Sequence, residues 1–476
     1  MELPHVARLA SAERMNRIVG IETEYGCLVT NDEERAGSWP VRVKNHLFKK
    51  SRVGVLDQHY RDYEEPPGNG GFLLNGGRLY IDMGHIEYAT PECRTVRDLV
   101  AYDLAGDAML QAAVEAMGVG ASVSFLKNNI DHNTGATFGC HENYLMRRET
   151  EFTQENAGAL LGFLATRQIF TGAGRVGQAN PLAFEIEPLP PYERVDFQLS
   201  QRADHIVNDI YQWVQFNRAI INARDEPLAD YRRYRRLHLL IGDSNMSPFA
   251  TAMKVGTTHL VLNLIEEGLL PRGVALQDAV LATRSVSRAG RVDALVILED
   301  GGAETALGIQ EKFLDAARQL AGRDEETDWL LDRWCWLLDG LRRSETTELV
   351  GAVDWVSKKW LLETFRAEQG LAWDDPWLES LDLEYHNLNT SRGLFHALPS
   401  PDEVAAFNRD AFRADALRTA PSDTRACGRG IAVEHFLTTH MPCIVNWDSL
   451  TIGADKAFPM PDPLATYDRE TRRALA

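Results

Sequence analysis

The sequence predicts an α+β fold built on a mixed or antiparallel sheet. Strand-like segments come first along the chain, helical periodicity dominates later, and the two do not alternate as βαβ units would.

The elements follow in order. Residues 17–22 are β-branched and run as a strand into Glu22-Thr23-Glu24-Tyr25-Gly26. The polar stretch 31–69 ends in the breaker run Pro66-Pro67-Gly68-Asn69-Gly70-Gly71 and reads as a helix plus a long loop. Residues 77–82 and 85–89 read as neighbouring strands. Residues 95–117 carry apolar positions at helical spacing, with Thr95 as N-cap. Residues 121–128, 237–242 and 294–298 read as further strands. The segment 178–196, with Pro181, Pro188, Pro190 and Pro191, reads as an exposed loop. Helices are expected over 257–268, 305–320, 326–341 and 354–369. Trp329, Trp334, Trp336, Trp355 and Trp360 fall in the last two and are assigned to helix packing. A boundary at Ser400-Pro401 would divide the chain into a large domain, 1–400, and a small one, 401–476.

Bulk properties exclude several classes. The 476 residues carry 69 acidic against 50 basic side chains, a net charge of −19, which argues against nucleic acid or an anionic membrane surface as partner. No apolar run reaches bilayer length. The segment 1–17 lacks a signal-peptide core. The six scattered cysteines, without a Cys-x-x-Cys pair, fit reduced thiols of a cytoplasmic protein.

Carboxylates carry the chemistry. Glu22 and Glu24 are i and i+2 on a strand, so both project from one face. Two carboxylates there repel unless a cation lies between them, and Mg²⁺ favours such hard oxygen donors; the plainer alternative is a solvated sheet face. Tyr80 and Asp82 share the same spacing, and Glu87 follows. Asp82 suits a base or nucleophile, or else simply opens the Met83-Gly84 turn. His141 and His238 suit metal or phosphate, although a strand histidine is often just core. Arg202, Arg218, Arg224 and the run Arg232, Arg233, Arg235, Arg236 supply forks for phosphate oxygens, or alternatively a solvated basic loop.

Taken together, these segments identify a resemblance. Ile21 to Gly26, Asn75-Gly76-Gly77-Arg78-Leu79-Tyr80-Ile81-Asp82 and Glu87-Tyr88-Ala89-Thr90-Pro91-Glu92 resemble motifs of the Pup ligase and Pup deamidase/depupylase family. So do Lys127-Asn128-Asn129, Gly139-Cys140-His141-Glu142-Asn143-Tyr144, Ser200-Gln201-Arg202-Ala203-Asp204, Arg224-Asp225-Glu226-Pro227, Asp354-Trp355-Val356 and Trp447-Asp448. The likeness spans nearly the whole chain.

The resemblance implies a glutamine synthetase-like fold: a curved, mainly antiparallel sheet forming a cradle backed by helices, with a small C-terminal domain. It implies ATP and Mg²⁺ as cofactors. Glu22, Glu24, Tyr80, Glu87, His141 and His238 fall on positions that handle metal and phosphates, Arg202 and Arg224 on phosphate-binding arginines, and Trp447 near the adenine end. Asp82 matches the catalytic aspartate. The implied reaction is ATP-dependent activation of a C-terminal glutamate γ-carboxylate of a small ubiquitin-like protein tag, which is then joined to a protein lysine. The alternatives are hydrolysis of that isopeptide or of a C-terminal Gln, and a divergent branch with another carboxylate substrate. The 60-residue step from Glu22 to Asp82 is ligase-like, whereas the five-residue step from Asp82 to Glu87 is deamidase-like. Leu228 and Ile86 depart from both patterns, standing where the family has His and Pro.

Overall fold

In a computed structural model the chain is described over residues 17–30, 36–61, 63, 65–132, 134–178, 195–212, 218–343, 346–453 and 456–476. The segment 1–16, positions 31–35 of the polar stretch and residues 179–194 of the Pro-rich segment lie outside the described residues.

The strands in chain order are β1 (Val19–Val29), β2 (Gly54–Leu56), β3 (Gly70–Leu73), β4 (Arg78–Asp82), β5 (His85–Ala89), β6 (Val123–Leu126) and β7 (Cys140–Arg147). They continue with β8 (Arg175–Val176), β9 (Phe197–Gln198), β10 (Asn208–Tyr211), β11 (Ala219–Asn222), β12 (Tyr234–Leu239), β13 (Leu295–Ile297) and β14 (Ala303–Thr305). The C-terminal β15 (Cys443–Val445), β16 (Ser449–Ile452) and β17 (Lys456–Pro459) form their own antiparallel sheet. Among the described residues one ten-stranded sheet dominates, in the order β10-β11-β12-β7-β1-β5-β4-β3-β2, with β6 pairing the far half of β1. Its pairs are antiparallel except β10–β11. The α+β class and the mainly antiparallel sheet are therefore as expected.

The sheet differs from expectation in the polar stretch. That stretch holds helix α1 (Trp39–His46), but also β2, and its breaker run leads straight into β3. The glycines that read as loop are strand residues where backbones crowd: a Cβ on Gly71 would fall 2.0 Å from the Val55 carbonyl oxygen. β1 is also longer than expected, because its second half gains β6 as a partner.

The main helices are α2 (Val96–Ala116), α3 (Gln154–Thr166), α4 (Gln168–Thr171), α5 (Pro248–Glu267), α6 (Ala279–Ala289), α7 (Ala306–Ala317), α8 (Glu325–Arg343), α9 (Asp354–Gln369), α10 (Pro376–Tyr385), α11 (Asp402–Ala411), α12 (Ala426–Thr439) and α13 (Asp468–Leu475). Thr95 caps α2 by accepting from the Asp98 N–H, as its position predicts. α5 starts upstream of the expected 257 because Ser247 caps it and Pro248 fits its first turn. It is apolar nearly all round, hence buried, so an amphipathic pattern could not mark its start.

One core joins α2, α3, α5, α7, α8 and α9 to the sheet. Trp334 and Trp355 are buried in it, and Trp329 and Trp336 pack against it. Trp360 instead lies exposed on the outer side of α9. A second core holds Tyr25, Trp39, Leu79, Tyr88 and Phe125 beneath β1, β4 and β5. A third joins Phe72 and Leu74 to α12 and the β15–β17 sheet. Among the described residues no helix is long and apolar enough to cross a membrane.

Candidate active site

Strand alternation sorts β1 into two faces. Thr23 and Tyr25 point down: the Thr23 hydroxyl donates to Asp103 (3.3 Å) and the Tyr25 hydroxyl to Asp107 (2.6 Å), both on α2. Buried Lys127 bridges those carboxylates at 2.7 and 2.9 Å. Glu22 and Glu24 point the other way. Register then delivers their neighbours. Glu22 pairs with His141 on β7, Glu24 pairs with Glu87 on β5, and Glu87 pairs with Tyr80 on β4. His238 on β12 lies one strand beyond β7.

Two clusters result, each with its ligand atoms within 4.8 Å of one another: Glu22, His141 and His238, then Glu24, Asp82 and Glu87. In the first, the Glu22 carboxylate lies 3.4 Å from His141 Nδ1 and 3.7 Å from His238 Nε2. In the second, the Tyr80 hydroxyl donates to Glu87, and the Gly139 N–H donates to Glu24 Oε1 at 2.8 Å. A Cβ on Gly139 would lie 2.4 Å from His141 Nε2 and 2.8 Å from Glu24 Oε1, so a side chain there would displace groups of both clusters.

The electrostatics of the two clusters suit a cation. Burial, then the charges of Glu24, Glu22 and Asp82, push the Glu87 carboxyl well above its ordinary range. Burial pushes His238 down to about 3, leaving a neutral imidazole at neutral pH. Burial would also raise Glu22, but His141 with His238 and Arg236 outweighs it and holds it at about 2. His238 Nε2 is buried without a hydrogen-bond partner beside the Glu22 carboxylate. A divalent cation fits both observations: it would neutralise the carboxylates and take up the orphaned nitrogen. The three-carboxylate cluster offers the hard donor set that suits Mg²⁺, and the His-His-Glu cluster admits softer ions as well.

The arginines divide. Arg202 is fully buried and senses Glu24, but it donates to the Leu240 carbonyl (2.9 Å) and the Phe138 carbonyl (2.6 Å). Burial, and then Arg218, pushes it down to about 10. Arg224 is not brought into the clusters; it is exposed, and its Nε lies 2.8 Å from Glu226. Arg236, which the sequence showed only as part of a basic run, hydrogen-bonds Asn143 at 3.3 Å beside Glu22. His85, with Nδ1 3.9 Å from Glu24, went unmarked in the sequence. Its i, i+2 spacing from Glu87 was the available signal.

A pocket opens from Glu22 toward the C-terminal sheet. Its walls are apolar — Ile18, Ala89, Pro91, Pro227, Leu228 and Trp447 — with Arg236 and Arg425 among them. Trp447 therefore faces the same cavity as Glu22, although 425 positions separate them in the chain.

The chain is similar to known proteins along nearly its whole length. The family described as Pup-ligase protein matches residues 17–451. The Pup–protein ligase of Acidimicrobium ferrooxidans is 37% identical over 472 residues, covering 96% of this chain and 98% of the relative. The Pup deamidase/depupylase of Mycolicibacterium smegmatis is 38% identical over 483 residues, covering 94% of each. Two solved structures are also similar, each 31% identical. One is the complex of prokaryotic ubiquitin-like protein Pup with its ligase PafA (TM-score 0.80, covering 96% of this chain and 90% of the other). The other is the Pup ligase PafA in complex with ADP (TM-score 0.75, 95% of each).

Proposed function

The chain belongs to the Pup-ligase family, and on that premise we propose that it is an ATP-dependent ligase joining a Pup-type tag to lysines of other proteins. Like the similar PafA structures, it would use a nucleotide and the tag. We place it in the cytoplasm, where its six free thiols stay reduced.

The observation that carries this reading is Asp82 grouped with Glu24 and Glu87 at the end of β4. In the reaction, the γ-carboxylate of the tag's C-terminal Glu attacks the γ-phosphorus of ATP and ADP leaves. A lysine amine then attacks the acyl carbon. Phosphate leaves, the isopeptide forms, and Asp82 accepts the proton of the amine. Glu24 and Glu87 would hold Mg²⁺ beside Asp82, while Glu22, His141 and His238 would face the phosphates or hold a second ion. When bound, the cation supplies charge neutralisation at the phosphates. Tyr80 orients Glu87 through its hydroxyl. Trp447 and its pocket take the adenine end.

A second reading, deamidase or depupylase, rests on the 38% identity to the Mycolicibacterium smegmatis enzyme. Two incubations separate the two readings. With ATP, Mg²⁺, a tag ending in Glu and a lysine-bearing protein, the ligase yields a covalent adduct. Absence of adduct, together with ammonia released from a tag ending in Gln, overturns the ligase reading in favour of the second.

A further inference from the structure

Glu92, just beyond β5, lies buried where the large sheet meets the C-terminal segment. Its carboxylate holds two guanidiniums from α12 and the residue before it. Arg425 Nε donates to Oε1 at 2.7 Å, and Arg429 donates to both oxygens, with Nη1 3.2 Å from Oε1. Each arginine then grips a different wall of the pocket described above. Arg425 Nη1 donates to the Leu228 carbonyl at 2.5 Å. Arg429 Nη1 donates to the Trp447 carbonyl at 2.8 Å, and the guanidinium carbon sits 4.7 Å from the centre of the Trp447 ring.

These walls come from distant parts of the chain. The Asp230 N–H on the Pro461 carbonyl (2.9 Å) and the Arg233–Asp462 pair (2.8 Å) tie their surroundings together, but the Glu92 cluster grips the carbonyls of Leu228 and Trp447 themselves. Leu228 is 40% exposed and sits at φ 47°, a conformation that costs a leucine free energy unless something fixes it. Trp447 lies in the turn between β15 and β16 and touches Phe72 edge-on at 5.0 Å. Burial alone would raise the Glu92 carboxyl; Arg429 and Arg425 outweigh it and hold it at about 2. Glu92 is thus charged whenever both arginines are in place, and a planar carboxylate gripped by two forks fixes direction as well as distance.

We propose that Glu92 is a positioning residue for the nucleotide: by holding Arg425 and Arg429 together, it sets the separation of Leu228 and Trp447, between which the base is clamped. This rests on the nucleotide reading of the pocket. Glu92 borders the same pocket but belongs to neither carboxylate cluster. Its loss therefore acts on nucleotide affinity and base selectivity, and much less on the chemical step.

The test is titration calorimetry of the full chain with ADP and with GDP in Mg²⁺ buffer, for the wild type and for Glu92→Gln. Glu92→Gln keeps the shape of the side chain and removes its charge. We expect ADP affinity to fall about tenfold or more, the preference for ADP over GDP to narrow, and turnover at saturating ATP to stay within about threefold. A Glu92→Gln chain that folds, as judged by circular dichroism, and binds ADP as the wild type does overturns the proposal while leaving the ligase reading intact. A wild type that binds no nucleotide removes both. If Glu92→Gln fails to fold, Leu228→Asn decides. Asparagine tolerates the same backbone conformation but offers no apolar wall, so ADP affinity should fall there too, and unchanged affinity contradicts the clamp.

Discussion

Glu24 stands directly opposite Glu87 across the β1–β5 ladder, and both carboxylates are buried. Like charges in that relation destabilise a sheet unless something else neutralises them. The strand pairing therefore holds a repulsion that a cation would relieve. Glu87→Gln keeps the acceptor for the Tyr80 hydroxyl and removes the repulsion. In EDTA the variant should be more stable than wild type by about 1 kcal/mol. Saturating Mg²⁺ should stabilise the wild type by about 2–3 kcal/mol, and the variant by far less. Thermal unfolding with and without Mg²⁺ measures both, and a wild type indifferent to divalent cations would refute the pairing's role.

Beneath the same strand, Lys127 neutralises Asp103 and Asp107, which in turn anchor Thr23 and Tyr25. Lys127→Met leaves buried Asp103 and half-buried Asp107 uncompensated. Denaturant titration should show a loss of about 3–5 kcal/mol, because breaking one side of a buried pair costs more than the pair contributes. A loss under about 1 kcal/mol would mean that water reaches the cluster.

His205 gives stability a pH dependence away from the site. Burial, then Arg175 and Arg202, lowers it from 6.5 to about 3 in the folded chain. The unfolded chain binds a proton below about pH 6.5, while the folded chain resists one until about pH 3. The contribution is thus fully present above pH 6.5 and is lost as pH falls toward 3, by about 1.4 kcal/mol per unit. His205→Gln should flatten the stability curve between pH 6 and 4 by about that slope. Equal slopes for variant and wild type would contradict it.

The site was legible where local spacing decides and hidden where pairing decides. Glu22 with Glu24 and Tyr80 with Asp82 follow from the two-residue period of a strand. What set Glu22 beside His141 was the β1–β7 register, which no local pattern encodes. The polar stretch concealed β2 and β3 because glycines read as breakers where crowded backbones required them. Arg224 looked like a phosphate ligand by its motif yet points to solvent with Glu226, and Arg202 is spent on carbonyls. The grip of Glu92 on Arg425 and Arg429 spans over 300 positions, and nothing in either local sequence announces it.

Asp82→Asn tests the central claim most directly, with ADP release and adduct followed together on a tag ending in Glu. The wild type should release one ADP per isopeptide formed. The variant should still bind ADP but form adduct about 10²–10⁴-fold more slowly, the range expected for loss of a positioned base. Undiminished adduct formation by Asp82→Asn would contradict the assignment of the carboxylate cluster as the seat of the chemistry.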